Sequence, residues 1–417
     1  MRLIIFVRPF CLFAVNPWKE LEVVDNNLDA MLKNGFARKL ANQYLSNLER
    51  EKKSNAKVQF IDPDLLEWAH ANGFYGETAV ALQLNEQNKD DYLSDYDYCR
   101  VWPLNDWERF WINDKLTFAY MFAGTEFEKY IPESYYYRDQ NRLLPLINSH
   151  MDKSLDGFVS LLREKGEFAA KPCNGGWGMG FHKLSFVDGF YQIDNKPVDE
   201  EKLKGFVWDN RNYLYTEFLH PAEEWVKISP VIHTIRILML NEDGVSPTSV
   251  ASYIRFAVSD DSGLSKDDDS KSNFNLPREP GLRLFNVPFD YKTGTYGKGT
   301  GKSSILLSYN LGRSDVDAHP DSGVVIDGAL KDWPALEKML KDMAIRLAPV
   351  EWLGYDLCIT DKGPKLMEIN SHSGCTYLQM FTPYRRHDVL SSYFERKLKA
   401  IDELGPDQIL ARNAIAR

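Results

Sequence analysis

A glycine-rich segment is the clearest chemical signal in the chain. Lys171 and Pro172 precede it, and its glycines are Gly175, Gly176, Gly178 and Gly180. Glycines free the backbone to turn tightly and to point several N–H groups at one anion. The segments on both sides have the composition of strands, which excludes a Walker A loop or a dinucleotide fingerprint, since both need a helix after the glycines. The pattern predicts either a phosphate-binding loop beside Lys171 or a hairpin that serves shape alone.

A second candidate is a pair of acidic residues on neighbouring strands. Glu368 and Asn370 alternate onto one face of a predicted strand. A predicted three-residue loop, with Thr360 opposite Pro364, joins that strand to the one containing Asp356, so counting back places Asp356 opposite Glu368. Opposed residues have Cβ atoms about 5 Å apart, and two carboxylates that close repel unless a cation lies between them. Oxygen ligands suit Mg²⁺, so the sequence predicts a magnesium site or, alternatively, two solvated acids on an exposed sheet face.

Two arginines occur within strand-like runs. Arg236 lies in the run 233–237 and Arg255 in the run 252–256. An arginine in a half-buried strand needs an anionic partner. That partner is either a structural carboxylate or a bound anion.

The elements that must position these residues change in character along the chain. The first third reads as helical: 36–53 has helix-like apolar spacing, Asp62 and Pro63 are typical of a helix start, and 107–122 reads as one amphipathic helix. Short runs rich in aromatic and β-branched residues then predict strands at 168–171, 180–186, 213–219, 234–240 and 250–256. The last third predicts a helix at 333–347, strands at 355–359 and 365–370, and a helix at 387–404.

Composition excludes several classes of protein. The 417 residues are 44% hydrophobic and 26% charged, which is ordinary for a globular protein of two or three domains. The net charge of −10 argues against nonspecific binding to nucleic acid. Five cysteines without a CxxC pair support neither a disulfide scaffold nor a structural zinc site, and they favour a reducing, cytoplasmic location.

The apolar segment 3–15 is the one part of the chain that bears on membranes. Arg8 and Pro9 interrupt it, and it is shorter than the roughly 20 residues that a membrane-spanning helix needs. We therefore expect a buried strand or a peripheral tail and no stable membrane insertion. An export or anchoring role is the alternative.

In this order, the segments resemble those of the ATP-grasp superfamily. The residues that carry the resemblance are 113–115, 168–180, 215–219, 234–236, 355–356 and 368–370. Within the superfamily the chain is most similar to the sugar-transfer-associated group and its teichuronopeptide-synthesis relatives, through the runs 289–294 and 319–323. The resemblance covers roughly residues 110 to 385.

The resemblance implies an α+β fold in which two lobes grip ATP. We expect a mostly helical N-terminal region over 1–110, a small lobe with a glycine-rich lid over 111–222, and a large lobe with the metal-binding strands over 223–417. Thr216, Cys173 and Trp177 depart from the family pattern in the adenine pocket and the lid.

The resemblance also implies a role for each matching residue. The ATP phosphates would be held by Lys115, Lys171 and the loop glycines Gly175, Gly176, Gly178 and Gly180. Glu217 and Leu219 would meet the adenine. One or two Mg²⁺ ions would be held by Asp356, Glu368 and Asn370. Arg236 and Arg255 would face the transferred phosphate or an acyl phosphate, and would be the catalytic residues.

The activity that these expectations favour is that of an ATP- and Mg²⁺-dependent carboxylate–amine ligase. ATP would phosphorylate a carboxylate, and an amine would displace the phosphate to form a C–N bond. The substrates would be small or glycan-linked acids and amines, and the product a modified cell-surface polysaccharide or its precursor. Two alternatives are a kinase that phosphorylates a hydroxyl and a nucleotide-binding module without turnover in polysaccharide biosynthesis. The residues are compatible with both the ligase and the kinase.

Overall fold

A computed structural model describes residues 26–57, 61–175, 180–258, 283–301, 303–307 and 313–416. Some of the predictions above concern residues outside these ranges. They are the apolar segment 3–15 and the loop glycines Gly176 and Gly178.

The N-terminal part of the described chain is helical. Its helices are α1 (Leu28–Lys33), α2 (Arg38–Lys57), α3 (Pro63–Ala71), α4 (Gly76–Leu82), α5 (Asp95–Arg100), α6 (Arg109–Asn113) and α7 (Lys115–Phe122). The predicted start of α3 is confirmed, because the Asp62 carboxylate accepts hydrogen bonds from the N–H groups of Asp64 and Leu65 at 2.9 and 3.2 Å.

The single helix predicted over 107–122 is wrong, because the structure breaks it at Asp114. Asp114 is extended, with φ −90° and ψ 115°, and its side chain accepts a hydrogen bond from the N–H of Thr117 at 2.8 Å. A short acidic side chain is a strong N-cap, so it starts a new helix where apolar spacing alone continues the old one. Lys115 therefore becomes the first residue of α7.

A first antiparallel sheet follows in the chain. Its strands are β1 (Ser134–Arg138), β2 (Leu143–Pro145), β3 (Glu167–Pro172), β4 (His182–Val187), β5 (Phe190–Ile193), β6 (Lys196–Val198) and β7 (Tyr213–Glu217). They lie side by side in the order β2-β1-β7-β3-β4-β5-β6. Helices α8 (Leu155–Lys165) and α9 (Glu200–Asp209) cover one face, where Phe158, Phe168 and Tyr215 are buried.

A second, larger antiparallel sheet forms the other half. Its strands are β8 (Thr234–Leu240), β9 (Thr248–Ala257), β10 (Arg283–Pro288), β12 (Ser304–Leu307), β13 (Arg313–Asp315), β15 (Trp352–Thr360) and β16 (Gly363–Asn370), and β11 (Thr295–Gly297) pairs separately with β14 (Asp327–Ala329). The order in the sheet is β13-β12-β10-β9-β8-β15-β16. The helices of this half are α10 (Glu223–Val226), α11 (Trp333–Arg346), α12 (Thr376–Gln379), α13 (Asp388–Asp402) and α14 (Pro406–Asn413). Helix α11 belongs to the apolar core on one face of the sheet, with Ile237 and Tyr355.

The hairpin between β15 and β16 sets the register of the acidic residues. Asp356 lies opposite Glu368, as predicted, but Thr360 lies opposite Gly363 and not Pro364, so the predicted turn is wrong by one residue. A β-bulge restores the count, because Leu357 pairs with Leu366 and leaves Met367 as the extra residue. The correct pairing thus results from two irregularities that cancel.

The structure confirms the α+β class, with helices preceding two antiparallel sheets. The segment after β7 joins the sheets and hydrogen-bonds to the β15–β16 hairpin: the N–H of Ala222 donates to the carbonyl of Ile359 at 3.1 Å, and the N–H of Asp361 donates to the carbonyl of His220 at 3.2 Å. Within the described ranges, the helices are all too short or too polar to cross a bilayer.

Candidate functional site

A cleft of about 540 Å³ lies where the two sheets meet. It is lined by Pro132, Ala169, Lys171, Phe181, Glu217, Phe218, Leu219, His220, Pro230, Val231, Ile232 and Met367. The lining is mostly apolar with a few charged groups, which is typical of small-molecule sites. Lys171, Glu217 and Leu219, all candidates from the sequence, line this one cleft.

Lys171 projects from β3 into the cleft. Ala169 and Lys171 are two residues apart on the strand, so both side chains lie on the cleft face. Burial, reinforced by the nearby charge of Lys115, lowers the pKa of Lys171 to about 8, although Glu368 acts in the opposite direction. A partly buried ammonium without a close carboxylate is costly, and an anionic ligand in the cleft would offset that cost.

Lys115 links the glycine loop to the acidic strands. Its backbone N–H donates to the carbonyl of Cys173 at 2.9 Å, which fixes the start of α7 against the loop. Its Nζ donates to the carbonyl of Gly175 at 2.7 Å and lies 3.5 Å from Oε2 of Glu368. One side chain therefore touches both Gly175 of the glycine-rich segment and a predicted metal ligand.

Gly180 closes the glycine-rich segment in a conformation that favours glycine. Its φ is +77°, and a Cβ at this position would lie 2.5 Å from the Tyr213 hydroxyl and 3.0 Å from Pro172. A larger residue would strain the backbone and displace the end of the loop from β7.

The predicted metal-site residues lie in a row with Arg236 across three neighbouring strands. Arg236 on β8 pairs with Asp356 on β15, which pairs with Glu368 on β16. The guanidinium of Arg236 grips both oxygens of Asp356: Nε donates to Oδ1, and Nη2 donates to Oδ2 at 2.9 Å. The Asn370 amide donates to Oδ2 of Asp356 at 3.1 Å and to Oε1 of Glu368 at 3.3 Å.

The two carboxyl groups of this row are electrostatically different. Burial raises the pKa of Asp356 to about 6; Arg236 opposes this rise and Glu368 adds to it. For Glu368 burial also acts upward, but Lys115 and Arg236 outweigh it and hold the pKa below its ordinary value. Glu368 is the more exposed, at 32% of its side chain against none of Asp356.

The donor atoms of this row suit a hard cation. Two carboxylates and an amide oxygen, supplied by Asp356, Glu368 and Asn370, are ligands of the kind that Mg²⁺ prefers. Over the part of the chain that the structure describes, no cluster of three or more His, Cys, Asp or Glu side chains has metal-binding geometry. A metal here would take few protein ligands, as is usual for Mg²⁺ shared with phosphates.

The two arginines have different surroundings. Arg236 forms an ion pair with Asp356, whereas Arg255 donates to neutral partners: from Nη2 to the Tyr253 hydroxyl at 2.8 Å and from Nε to the Asn286 side chain at 3.4 Å. Its guanidinium also lies 4.5 Å from the centre of the Tyr377 ring. Among the described residues, no carboxylate is within ion-pair distance of Arg255, so donors remain for a bound anion.

Glu217 and Leu219 lie at the junction of the sheets. The buried Glu217 carboxylate accepts from Nζ of Lys362 at 2.6 Å and lies 3.5 Å from Nζ of Lys365, and both lysines belong to the β15–β16 hairpin. Glu217 therefore holds the two sheets together in addition to lining the cleft.

Sequence reasoning missed several residues that line the cleft. Met367 is one of them, because strict alternation would place it on the opposite face from Glu368, and the bulge re-aims it. Phe181 and His220 are others: Phe181 directly follows the glycine-rich segment, and His220 directly follows the run 215–219. Their adjacency to the glycine loop and to Leu219 was the available signal.

Comparison with known proteins gives only remote matches. No protein-family model matches the chain, and no curated protein sequence matches it. Among solved structures, it is similar to the ATP-grasp ligase PsnB in complex with a minimal precursor, with a TM-score of 0.34 and 9% identity over 70% of this chain and 62% of that one. It is also similar to D-alanyl-alanine synthetase A from Vibrio cholerae (TM-score 0.38, 11% identity, 69% of this chain and 66% of that one) and to an L-amino acid ligase from Bacillus licheniformis (0.32, 11%, 84% and 61%). The chain thus spans about two thirds or less of the length of these proteins, and scores this low decide neither its activity nor its substrate.

Proposed function

We propose that this protein is an ATP- and Mg²⁺-dependent carboxylate–amine ligase of the ATP-grasp type. The observation that carries the proposal is the position of Lys115, which touches Gly175 of the glycine-rich segment and Glu368 of the acidic row. Through this contact one lysine side chain joins the segment that we propose as the lid to the carboxylate that we propose as a metal ligand, and its charge also acts on Lys171 in the cleft.

The cleft accommodates a nucleotide in one direction. The base would lie over the small side chain of Ala169, against Leu219, Ile232 and Met367, and the triphosphate would extend toward Lys171. Lys115 and Lys171 would neutralise the phosphates. The backbone of the segment containing Gly175, Gly176, Gly178 and Gly180 would close over them.

Mg²⁺ would be held by Glu368, Asp356 and the side-chain oxygen of Asn370. When bound, the ion neutralises phosphate charge and orients the γ-phosphoryl group. Arg236 acts through Asp356: its bidentate hold fixes the carboxylate in one orientation. Arg236 is therefore a positioning residue, whereas Arg255 has donors available for a reacting anion.

The chemistry then follows from charge and position. A carboxylate is a poor acyl donor because its leaving group is oxide. Attack of its oxygen on the γ-phosphorus breaks the bond to the β-phosphate oxygen and releases ADP. An amine then attacks the acyl carbon, phosphate leaves with the bonding electrons, and the released phosphate takes up the proton that the nitrogen loses. Arg255 would stabilise the acyl phosphate, and a closed lid would exclude water from it.

The proposal also includes a class of substrate and a location in the cell. The subgroup resemblance favours an acid or amine linked to a cell-surface glycan or its precursor. A cytoplasmic location agrees with the ATP requirement and with the free cysteines Cys99, Cys173, Cys358 and Cys375.

The test is an assay of ADP and acyl transfer. The protein is incubated with ATP, Mg²⁺ and a panel of amino acids and sugar-linked carboxylates, with and without hydroxylamine. We expect ADP release that depends on one class of acid, and a hydroxamate when hydroxylamine replaces the amine. A stable phosphorylated product would instead support a kinase, and the absence of ADP with every acid would support a module without turnover.

The variant that localises the activity is Glu368→Gln. It keeps the size of the side chain and removes its charge, so we expect at least a 100-fold loss of ADP release, in the range of about 10²–10³ found when one preorganised electrostatic group is removed. Glu242→Gln is the matched control, since Glu242 pairs with Arg396 at 2.8 Å away from the cleft. Near-normal turnover of Glu368→Gln would contradict the site assignment.

A further inference from the structure

His220 lies at the end of the cleft opposite the phosphate-binding residues. Glu167, Ala169 and Lys171 share one face of β3. Glu167 is four residues from Lys171, about 13 Å along an extended strand. His220 lines the cleft and contacts Glu167. If phosphates lie at Lys171, the base of the nucleotide lies toward His220.

A carboxylate fixes the orientation of the His220 ring. Nε2 of His220 lies 2.5 Å from Oε2 of Glu167, whose other oxygen lies 2.8 Å from Nζ of Lys183. Burial opposes ionisation of Glu167, but His220 and Lys183 outweigh it and lower the pKa of Glu167 to about 2. An ionised carboxylate only accepts hydrogen bonds, so the proton of a neutral His220 resides on Nε2.

The remaining ring nitrogen is available to a ligand. Within the ranges that the structure describes, Nδ1 of His220 makes no hydrogen bond, and 44% of the side chain is exposed. The ring of Phe218 lies 5.1 Å from the imidazole and adds an apolar surface beside it. At this end of the cleft, Nδ1 of His220 is an available hydrogen-bonding atom beside the apolar ring of Phe218, whereas the Glu217 carboxylate already accepts from Lys362.

We propose that His220, held by Glu167, is a specificity-determining residue that reads the edge of the nucleotide base through Nδ1. This inference rests on the proposed nucleotide-binding function of the cleft. It adds a residue that selects which base is bound. A neutral His220 offers a lone pair at Nδ1 and favours a base with an amino group at that edge, such as adenine. A protonated His220 offers an N–H there and favours a carbonyl oxygen, such as that of hypoxanthine.

The charged groups that face His220 come from three elements. They are Glu167 on β3, Lys183 on β4 and Asp361 in the β15–β16 turn. Glu167 raises the pKa of His220 above its ordinary value, burial and Lys183 act in the opposite direction, and Asp361 adds a smaller upward contribution. Because Glu167 has the largest effect, the His220 ring keeps its proton to a higher pH than a free imidazole does.

The test compares the affinities of ATP and inosine triphosphate at pH 6 and pH 8. At position 6, adenine has an amino group and hypoxanthine has an oxo group. The triphosphates are identical and titrate alike, so the ratio of the two dissociation constants reports only the contribution of the base. We expect the preference for ATP to increase about fivefold from pH 6 to pH 8, in line with the value of one hydrogen bond. His220→Gln should make the ratio independent of pH, because an amide does not titrate and can present either atom.

His182→Gln is the matched control. His182 also pairs with a carboxylate, that of Asp194 at 2.7 Å, but His182 is not among the residues that line the cleft, so its variant should keep the wild-type change of ratio. The inference is overturned if the wild-type ratio is the same at both pH values, or if His220→Gln retains the change. A wild-type protein that binds neither nucleotide would overturn the proposed function as well. Nucleotide binding without hydroxamate formation would count against the ligase alone.

Discussion

The two sheets that border the cleft, which we call its two walls, balance their charges in different ways. On the large sheet, the fully buried Asp356 is gripped at both oxygens by Arg236. On the small sheet, Lys171 has no ion pair or hydrogen bond to its ammonium among the described residues, and burial lowers its pKa to about 8. The buried charge on the large sheet is therefore neutralised by a neighbouring residue of the same sheet. The positive charge of Lys171 on the small sheet has no such partner among the described residues.

This difference separates positioning from binding. A buried pair that is complete without a ligand supports a fixed geometry, and removing one partner leaves an uncompensated charge. A buried cation without a partner lowers stability in the absence of ligand and strengthens binding of an anion. The large-sheet wall therefore provides the preformed frame, and the small-sheet wall provides affinity.

We expect the largest effect from removing the ion pair between Arg236 and Asp356 on the large sheet. Arg236→Leu leaves the buried carboxylate of Asp356 without its cationic partner. We therefore expect the free energy of unfolding to fall by about 3–5 kcal/mol. Denaturant unfolding measures it. Arg255→Leu is the comparison, because Arg255 has no carboxylate partner among the described residues and its aromatic and hydroxyl contacts contribute about 1 kcal/mol. Equal losses in the two variants would remove the distinction between the arginines.

The opposite outcome is expected on the other wall. Lys171→Met keeps the length of the side chain and removes its charge, so ADP release should fall by about 10²–10³. Because the folded-state pKa of Lys171 is below its ordinary value, the charged form opposes folding at pH 7, and the variant should gain on the order of 1 kcal/mol. Lys196→Met, on the exposed strand β6, is the control for both measurements. A clear loss of stability in Lys171→Met would show that the ammonium is already compensated.

Much of the frame was predictable because it depends on local patterns. The strands β3, β7, β8 and β9 and the start of α3 follow from composition and capping, and the structure confirms them. The pairing of Asp356 with Glu368 was also predicted. Its route through Thr360 and Pro364 was wrong, because neither the turn length nor the bulge at Met367 has a distinct signature in the residues.

What the sequence left open depends on contacts between distant segments. The motif that contains Lys115 was visible, but its position between Gly175 and Glu368 arises from contacts of α7 with β16 and with the segment that follows β3. Arg236 and Arg255 looked alike in sequence, and their difference depends on which residue the neighbouring strand places beside each. The roles of Glu217 and His220 similarly required the junction of the sheets.

We expect the smallest effect in the pH dependence of ATP affinity, which also distinguishes the two walls. Lys171 loses its proton as the pH rises through about 8, so the small-sheet wall loses a cation there, whereas the Arg236 guanidinium stays charged. ATP affinity should therefore weaken about tenfold between pH 7 and pH 9.5, the value of one charge-assisted hydrogen bond.

Bound phosphates raise the pKa of Lys171 again, so binding at pH 9 should be accompanied by proton uptake, measurable by calorimetry in buffers of different ionisation enthalpy. Lys171→Arg keeps its charge over this range and should bind ATP with little dependence on pH. An unchanged pH profile in that variant would assign the titration to another group and leave Lys171 without its proposed role.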